Sequence, residues 1–454
     1  MLPLPTAFCE RLVRELGADG AQALCASLDT PSPTAVRHHP LKGEGAPEGE
    51  PIPWSSRGRY LSERPSFTLD PRFHAGAYYV QEASSQFVGC LLRGEAMAGK
   101  RLLDLCAAPG GKSTLYASLV GPEGLVVANE VDRRRVQILA DNVRKWGMGN
   151  VVVTTNRAED FEPLAEWFDV VAVDAPCSGE GMFRRLPESR EEWSEGAVER
   201  CSAIQREILA SAWQALKPGG VLIYSTCTFN RTEDEEVLAD FVACTEGELE
   251  AVEPVSQAEE WGIVTGEVGP FRTYRFYPHR ARGEGFFAAV VRKAGEPKAS
   301  RGRDRRLKSQ VAPVDKREQQ ELARWIEEPE QMRFYRAGEL LYAVRSTHYE
   351  ELERLSGTLR VIYAGVAMGE IFKGKLKPDG ALALYVGLRR GVLPAAELSE
   401  PDALEYLRKG DLRADLFEEG LNLVLFEGHA LGFAKRIGGR VNNLYPNSLR
   451  IVNK

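Results

Sequence analysis

Six short apolar or β-branched runs recur in one stretch of the chain: "RLLDLC", "GLVVANE", "NVVVTT", "DVVAVDAP", "GVLIYST" and "GFFAAVVRK". No other feature constrains the fold as much. The segments between most of them, such as "RRRVQILADNVRKWG", space their apolar residues as one face of a helix does. Strands that alternate with helices of this length are joined by crossovers, and crossovers build a parallel sheet covered on both faces. The expected fold is α/β, with a Rossmann-like domain over residues 76–293. Ligands of such sheets bind beyond the carboxyl ends of the strands, so the residues that close each run are the ones to read.

The rest of the chain is arranged around that unit. Residues 1–75 hold one helical stretch and then a Pro- and Gly-rich segment, a small α+β region. Residues 294–312 are Arg-rich and aperiodic, and read as a basic linker. Residues 313–454 hold several strand-like runs and few helices, one of them "PDALEYLRKG", and form an α+β second domain. The net charge of −7 excludes a uniformly basic nucleic-acid binder. Charge is uneven, however: residues 291–310 carry eight Lys or Arg against two acids, and residues 431–454 carry five against none. No apolar run approaches the roughly 18–20 residues of a membrane span. The start, "MLPLPTAFCERLVRELG", is an amphipathic helix rather than a secretion signal, so a cytoplasmic protein off the membrane is expected. The eight cysteines include no C-x-x-C pair and no His at zinc spacing; no metal is expected, and each thiol is either a core filler or a reactive group.

The first run leads into "DLCAAPGGKST". Its Gly111-Lys112-Ser113 imitates a phosphate loop, but that motif needs a glycine where Cys106 stands, and the dinucleotide pattern G-x-G-x-x-G is absent as well. What remains is an acid, Asp104, and a turn of small residues that a ligand can approach closely. The second run ends in Glu130, suited to accept hydrogen bonds from both hydroxyls of an adenosine ribose. Two acids and a glycine loop without phosphate clamps describe a cationic adenosyl ligand, and S-adenosylmethionine matches. The fourth run continues as "DAPCSGEGMFRR", with Ala175 and Cys177 where enzymes that methylate exocyclic amines carry an Asp/Asn-Pro-Pro-aromatic motif. A carbon acceptor fits better. C5 of cytosine becomes nucleophilic only after a thiolate adds to C6, which calls for an activated cysteine. Asp174 could hydrogen-bond the amino or N3 edge of such a base. The fifth run closes on Cys227 in "YSTCTFN", so two thiols are expected at the tips of adjacent strands. The residues themselves leave open which one attacks. With an ordinary pKa near 8.5, either thiol needs help to ionise at neutral pH.

In this order "DLCAAPGGKST", "ANE", "DAPCSGEGMFRR" and "YSTCTFN" resemble the RNA cytosine-C5 methyltransferases of the NOL1/NOP2/Sun family, as do "YYVQEASSQ" and "PHRARGEGFFAAVVRK" around them. The C-terminal "LGFAKRIGGRVNNLYPNSLRI" is similar to the RNA-binding end of the bacterial RsmF-type enzymes, which modify small-subunit ribosomal RNA. The resemblance implies a class I methyltransferase domain with S-adenosylmethionine as cofactor, and a PUA-like module toward the end of the C-terminal domain. It implies that Cys227 is the nucleophile and that Cys177 assists release of the adduct. It also implies that Cys106, Ala107, Ala108, Pro109, Gly110, Gly111 and Lys112 line the methionine end of the cofactor. Glu130 would hold the ribose, and Asp174, oriented by Lys112, would stand between cofactor and base; Arg135 and Arg157 complete the cofactor set. Two positions depart from the pattern. Arg157 stands where the family places an Asp toward adenine, leaving Asn156, Asp160 or the backbone to substitute, and the N-terminal Arg-Leu-Asn pattern reads Arg37-His38-His39.

The expected activity is methyl transfer to C5 of cytosine in 16S rRNA, naked or in the small ribosomal subunit, by a monomer acting on a flipped or single-stranded base. The alternatives are a tRNA cytosine-C5 methyltransferase and a non-catalytic RNA-binding ribosome-assembly factor; intact Cys177 and Cys227 count against the second. A methyltransferase acting on protein or small molecules is disfavoured by the basic C-terminal module. One of Arg184 and Arg185 is expected to reach an RNA phosphate, Tyr445 to stack on a base, and His279 to be satisfied by backbone.

Overall fold

The computed structural model describes residues 2–245, 247–296 and 310–452, so most of the basic segment 294–312 lies outside the described residues. The first five runs form β1 (Arg101–Asp104), β2 (Leu125–Asn129), β3 (Val151–Thr154), β4 (Phe168–Asp174) and β5 (Leu216–Thr226). They are parallel, in the order β3-β2-β1-β4-β5. Every residue of β2 and β3 is buried, which is why these strands read as unbroken valine-rich runs instead of alternating ones. The helices Gly111–Val120, Arg135–Trp146 and Glu195–Ala215 make the crossovers.

The sixth run departs from the all-parallel expectation. After β5 the chain forms β6 (Val264–Val268), β7 (Phe271–Phe276) and β8 (Phe286–Lys293), each antiparallel to its neighbour, and β8 lies antiparallel against β5. β8 is reached from a hairpin partner and not over a helix, and apolar periodicity carries no information about direction. At the opposite edge, β9 (Val361–Ala364) pairs antiparallel with β3. The strand-rich C-terminal segment thus lends one strand to the central sheet in addition to building its own five-stranded and four-stranded sheets. "PDALEYLRKG" is helical over Glu400–Leu407.

The N-terminal region is a helix, Thr6–Ser27, and a four-stranded sheet whose last strand is Tyr78–Val80. Phe8, Leu12 and Leu24 of the helix pack on Phe183, Trp193, Phe229 and Tyr277, behind the loops that follow β4 and β5. One side chain ties the three regions together. Lys42 Nζ donates to the carbonyls of Ala75 at 2.9 Å, Lys145 at 2.8 Å and Leu384 at 3.2 Å. No helix among the described residues is long and apolar enough to cross a membrane.

Candidate active site

Strand order reverses at β1, and the loop after β1 opens beyond its carboxyl end, where such sheets take their ligands. Asp104 closes the strand, buried, with Ser113 Oγ donating to it at 2.6 Å. Burial, opposed by Ser113 and reinforced by Asp174, pushes its carboxyl up to about 7. The loop then turns through Gly110 at φ +109°, a conformation that favours glycine, into the helix Gly111–Val120. Its backbone is held from outside. Glu130 accepts from Ala108 N at 3.3 Å and from Asp132 N at 3.0 Å, while Arg135 donates to the Ala108 carbonyl at 2.8 Å. Asn142 Nδ2 donates to the Pro109 carbonyl at 2.8 Å.

A fourth support comes from the N-terminal sheet. Arg37, buried, donates to Gln81 Oε1 at 2.7 Å, to the Gly111 carbonyl at 3.1 Å and to Thr114 Oγ1 at 2.6 Å, with its guanidinium 4.5 Å from the Trp146 ring. The sequence offers one signal for Arg37: it stands first in the Arg37-His38-His39 departure from the family's Arg-Leu-Asn pattern, which assigns it no contact with the cofactor loop.

The register Asp174↔Ser225 brings the ends of β4 and β5 level. Cys177 and Cys227 follow them directly and meet with sulfurs 3.2 Å apart. Asp174 accepts from Lys112 Nζ at 2.8 Å through one oxygen and from Ser225 Oγ at 2.8 Å through the other. Burial pulls the Lys112 ammonium down, but Asp174 outweighs it, and the net shift is upward. The hydrogen bond with Cys227, then burial, hold the Cys177 thiol well above its ordinary value. Burial, joined by Asp104, Asp174 and Glu130, does the same to Cys106, which is therefore a packing residue rather than a nucleophile.

The two thiol loops are braced by groups that sequence reading missed. Glu233 accepts from Ser178 N at 2.8 Å, from the Ser178 hydroxyl, and from Gln205 Nε2 at 3.2 Å, and Gln205 also donates to the Pro176 carbonyl at 2.8 Å. Burial lifts the Glu233 carboxyl to about 7 against these donors. Gly181 N donates to the Cys227 carbonyl at 2.9 Å. A Cβ at 181 would stand 2.4 Å from the carbonyl oxygen of Gly285, just before β8, and 2.9 Å from that of Cys227, so this close approach requires glycine there.

These parts share a cavity of about 530 Å³. Cys106, Ala107, Ala108, Pro109, Gly111, Lys112, Arg135, Asp174 and Cys227 line it; Cys177 stands behind Cys227, and Glu130 behind Ala108. Arg157 is elsewhere. Its side chain is 76% exposed, 3.6 Å from Glu159, in a separate depression with Asn156 and Asp160. Both of those residues are engaged locally: Asn156 Oδ1 accepts from Arg360 N at 3.0 Å, and Asp160 from Arg157 N at 2.9 Å. Of the two arginines after β4, Arg184 is ion-paired with Glu284 at 2.9 Å inside the protein, and Arg185 faces the cavity. Two expectations are corrected. Tyr445 is 3% exposed, packed 5.4 Å from Tyr406, and has no free face for a base. Among the described residues the buried Nδ1 of His279 has no hydrogen-bond partner.

Comparison with known proteins agrees with this geometry. Residues 94–292 match the family model of the 16S rRNA methyltransferase RsmB/F, residues 4–83 that of the N-terminal domain of 16S rRNA methyltransferase RsmF, and residues 394–451 that of the methyltransferase RsmF PUA domain. The chain is 31% identical to ribosomal RNA small subunit methyltransferase F of Shewanella loihica, over 88% of this chain and 83% of that protein. It is 32% identical to the protein of the same name in Erwinia tasmaniensis, over 88% and 84%. A solved methyltransferase homolog protein from Pyrococcus horikoshii aligns at a TM-score of 0.52 and 27% identity, over 64% of this chain and 100% of that one. With identity above 30% across most of both sequences, the chain belongs to the RsmF family of small-subunit ribosomal RNA methyltransferases.

Proposed function

We propose that the protein, as a monomer, methylates C5 of a cytosine in 16S rRNA, with Cys227 as the nucleophile and Cys177 as the group that assists release. The observation that carries the assignment is the meeting of the two sulfurs at the cavity: Cys227 lines it, and Cys177, its thiol held well above the ordinary pKa by the hydrogen bond with Cys227, lies 3.2 Å from it. The small-residue loop fits S-adenosylmethionine, since it offers close backbone approach, buried acids and no phosphate clamp. When bound, S-adenosylmethionine supplies an electrophilic methyl group on a sulfonium.

The chain's own groups do the rest. Cys227 adds to C6 as a thiolate, and the electron pair displaced from the C5–C6 double bond makes C5 the nucleophile. Asp174, fixed by Lys112 and Ser225, accepts from the exocyclic amine of the base. After transfer solvent water takes the proton from C5, the C5–H electron pair re-forms the C5–C6 double bond, and the C6–S bond breaks to release Cys227 as a thiolate. Cys177 stabilises that thiolate through the sulfur contact. Arg135 and Glu130 hold the cofactor loop in shape, and the ribose hydroxyls are assigned to the Glu130 carboxylate beside that loop.

Labelled S-adenosylmethionine incubated with small-subunit rRNA, with 30S subunits and with tRNA, followed by nucleoside digestion, tests the reading. 5-Methylcytidine from the small-subunit substrates is expected; its absence from all three overturns the enzyme assignment, and its appearance in tRNA alone overturns the substrate. Cys227→Ala is expected to lower transfer by at least a thousandfold, and Cys177→Ala to accumulate a protein–RNA adduct on denaturing gels. An adduct in the Cys227 variant instead would reverse the two roles.

A further inference from the structure

The cavity extends past the cofactor loop. Phe73, Tyr78 and Tyr79 of the N-terminal region and Asn142 and Lys145 of the helix Arg135–Trp146 also line it, with Tyr79 and Asn142 bonded to the Pro109 carbonyl. The Lys145 ammonium lies 3.9 Å from the centre of the Phe73 ring. Among the described residues it makes no ion pair and no hydrogen bond. The nearest acid, Asp141, is engaged with Arg144 at 2.8 Å. Burial pulls the Lys145 ammonium down to about 8, and Asp141 offsets only part of that. A cation set in a cavity wall without an anion is unfavourable unless a ligand completes it.

The aromatic walls narrow the ligand class. Phe73 and Tyr79 are partly exposed, and the Tyr79 hydroxyl, bonded to the Pro109 carbonyl at 3.3 Å and to Asn142 at 3.3 Å, fixes its ring before any ligand arrives. Ring faces beside an unpaired ammonium are the components of a single-stranded nucleic-acid subsite, in which bases stack on aromatics and phosphates meet cations. The lobe is continuous with the wall that carries Cys227.

We propose that this lobe is the subsite for a nucleotide next to the target cytosine, with its base against Phe73 and Tyr79 and its phosphate on Lys145. The proposal rests on the RNA-methylating reading above and adds where the flanking strand is gripped. Lys145→Ala in the full chain is expected to raise KM for a 16S rRNA transcript about tenfold, with kcat within about twofold. The slope of log affinity against log salt should become shallower by about 0.7, the value for one single-strand phosphate contact. Binding of S-adenosylhomocysteine, measured by calorimetry, should not change, and Lys145→Arg should restore both RNA affinity and slope. Unaltered RNA affinity and slope in a folded Lys145→Ala protein would overturn the proposal. So would weakened S-adenosylhomocysteine binding with RNA affinity intact, which would hand the ammonium to the cofactor's carboxylate. The binding arms stand apart from catalysis: a wild-type chain that makes no 5-methylcytidine, yet binds the transcript with a Lys145-dependent salt slope, keeps the subsite and fails only the methylation reading.

Discussion

At the scale of single residues, the site divides into groups clustered at the cavity and groups that hold those in place. That Asp174, Cys177 and Cys227 would cluster was legible because they follow the ends of adjacent strands, while the pairing of Lys112 with Asp174 was expected only from the family resemblance. Glu233 was not legible. It lies in "RTEDEEV", where its carboxyl looks like one of several solvated acids, and only the fold turns it inward onto Ser178 and Gln205. All three of its contacts are donors, and an alanine leaves them without an acceptor. Glu233→Ala is therefore expected to lower kcat about tenfold with KM for rRNA and cofactor nearly unchanged, since the loop carrying Cys177 loses its anchor. A pH signature accompanies it. An unfolded chain releases this proton near 4.5, the folded one near 7, so between the two the folded state binds more protons and stability falls as pH rises. Urea midpoints at pH 5 and pH 7.5 should shift in favour of the variant at the higher pH; a difference that is constant with pH would remove Glu233 as the titrating group.

At the scale of elements, the five parallel strands and their crossovers were readable because β-branched runs and helical spacing are local properties. Direction and pairing are not local. Nothing in "GFFAAVVRK" distinguishes an antiparallel strand from a parallel one, and nothing in "RVIYAG" says that it completes a sheet begun more than 200 residues earlier at β3. The same limit concealed the link between the strand Thr34–His38 and the cofactor loop, because the contact of Arg37 with Gly111 spans 74 residues of chain. That link predicts a separable phenotype. Hydrogen bonds from a charged donor contribute about 1.5–3 kcal/mol, and Arg37→Ala removes three while leaving the Gly111 carbonyl without its guanidinium. S-Adenosylhomocysteine affinity should fall by about tenfold, with RNA affinity held. Equal losses of both would mean that Arg37 supports the whole N-terminal region and not the loop in particular.

For the whole molecule, the question is what makes the N-terminal region, the central domain and the C-terminal segment behave as one body. Composition predicted separate units, and the charge pattern of residues 294–312 still reads as a linker between them. Two contacts oppose independence: β9 extends the central sheet from the C-terminal side, and Lys42 joins carbonyls from all three regions. Lys42 could not be recognised in sequence, because a lysine in a Gly- and Pro-rich segment is the usual mark of a solvated loop. Here burial, with Lys145 and Arg390 adding to it, pulls the ammonium down to about 7, and its three partners are backbone oxygens rather than carboxylates. Lys42→Met keeps the length of the side chain but strands three acceptors. With each orphaned buried acceptor worth about 1–3 kcal/mol, a loss of roughly 3 kcal/mol is expected after relaxation. The loss has a pH dependence of definite sign. An unfolded lysine titrates near 10.5 and the folded one near 7, so between those values the unfolded chain holds the extra proton and the wild type gains stability as pH rises. The urea midpoint of the wild type should therefore move further above that of Lys42→Met between pH 7 and pH 9. A gap that narrows over that range would show that the three carbonyls hold the ammonium against burial and would overturn the lowered pKa, whereas an unchanged midpoint in Lys42→Met would remove Lys42 as the joint of the three regions.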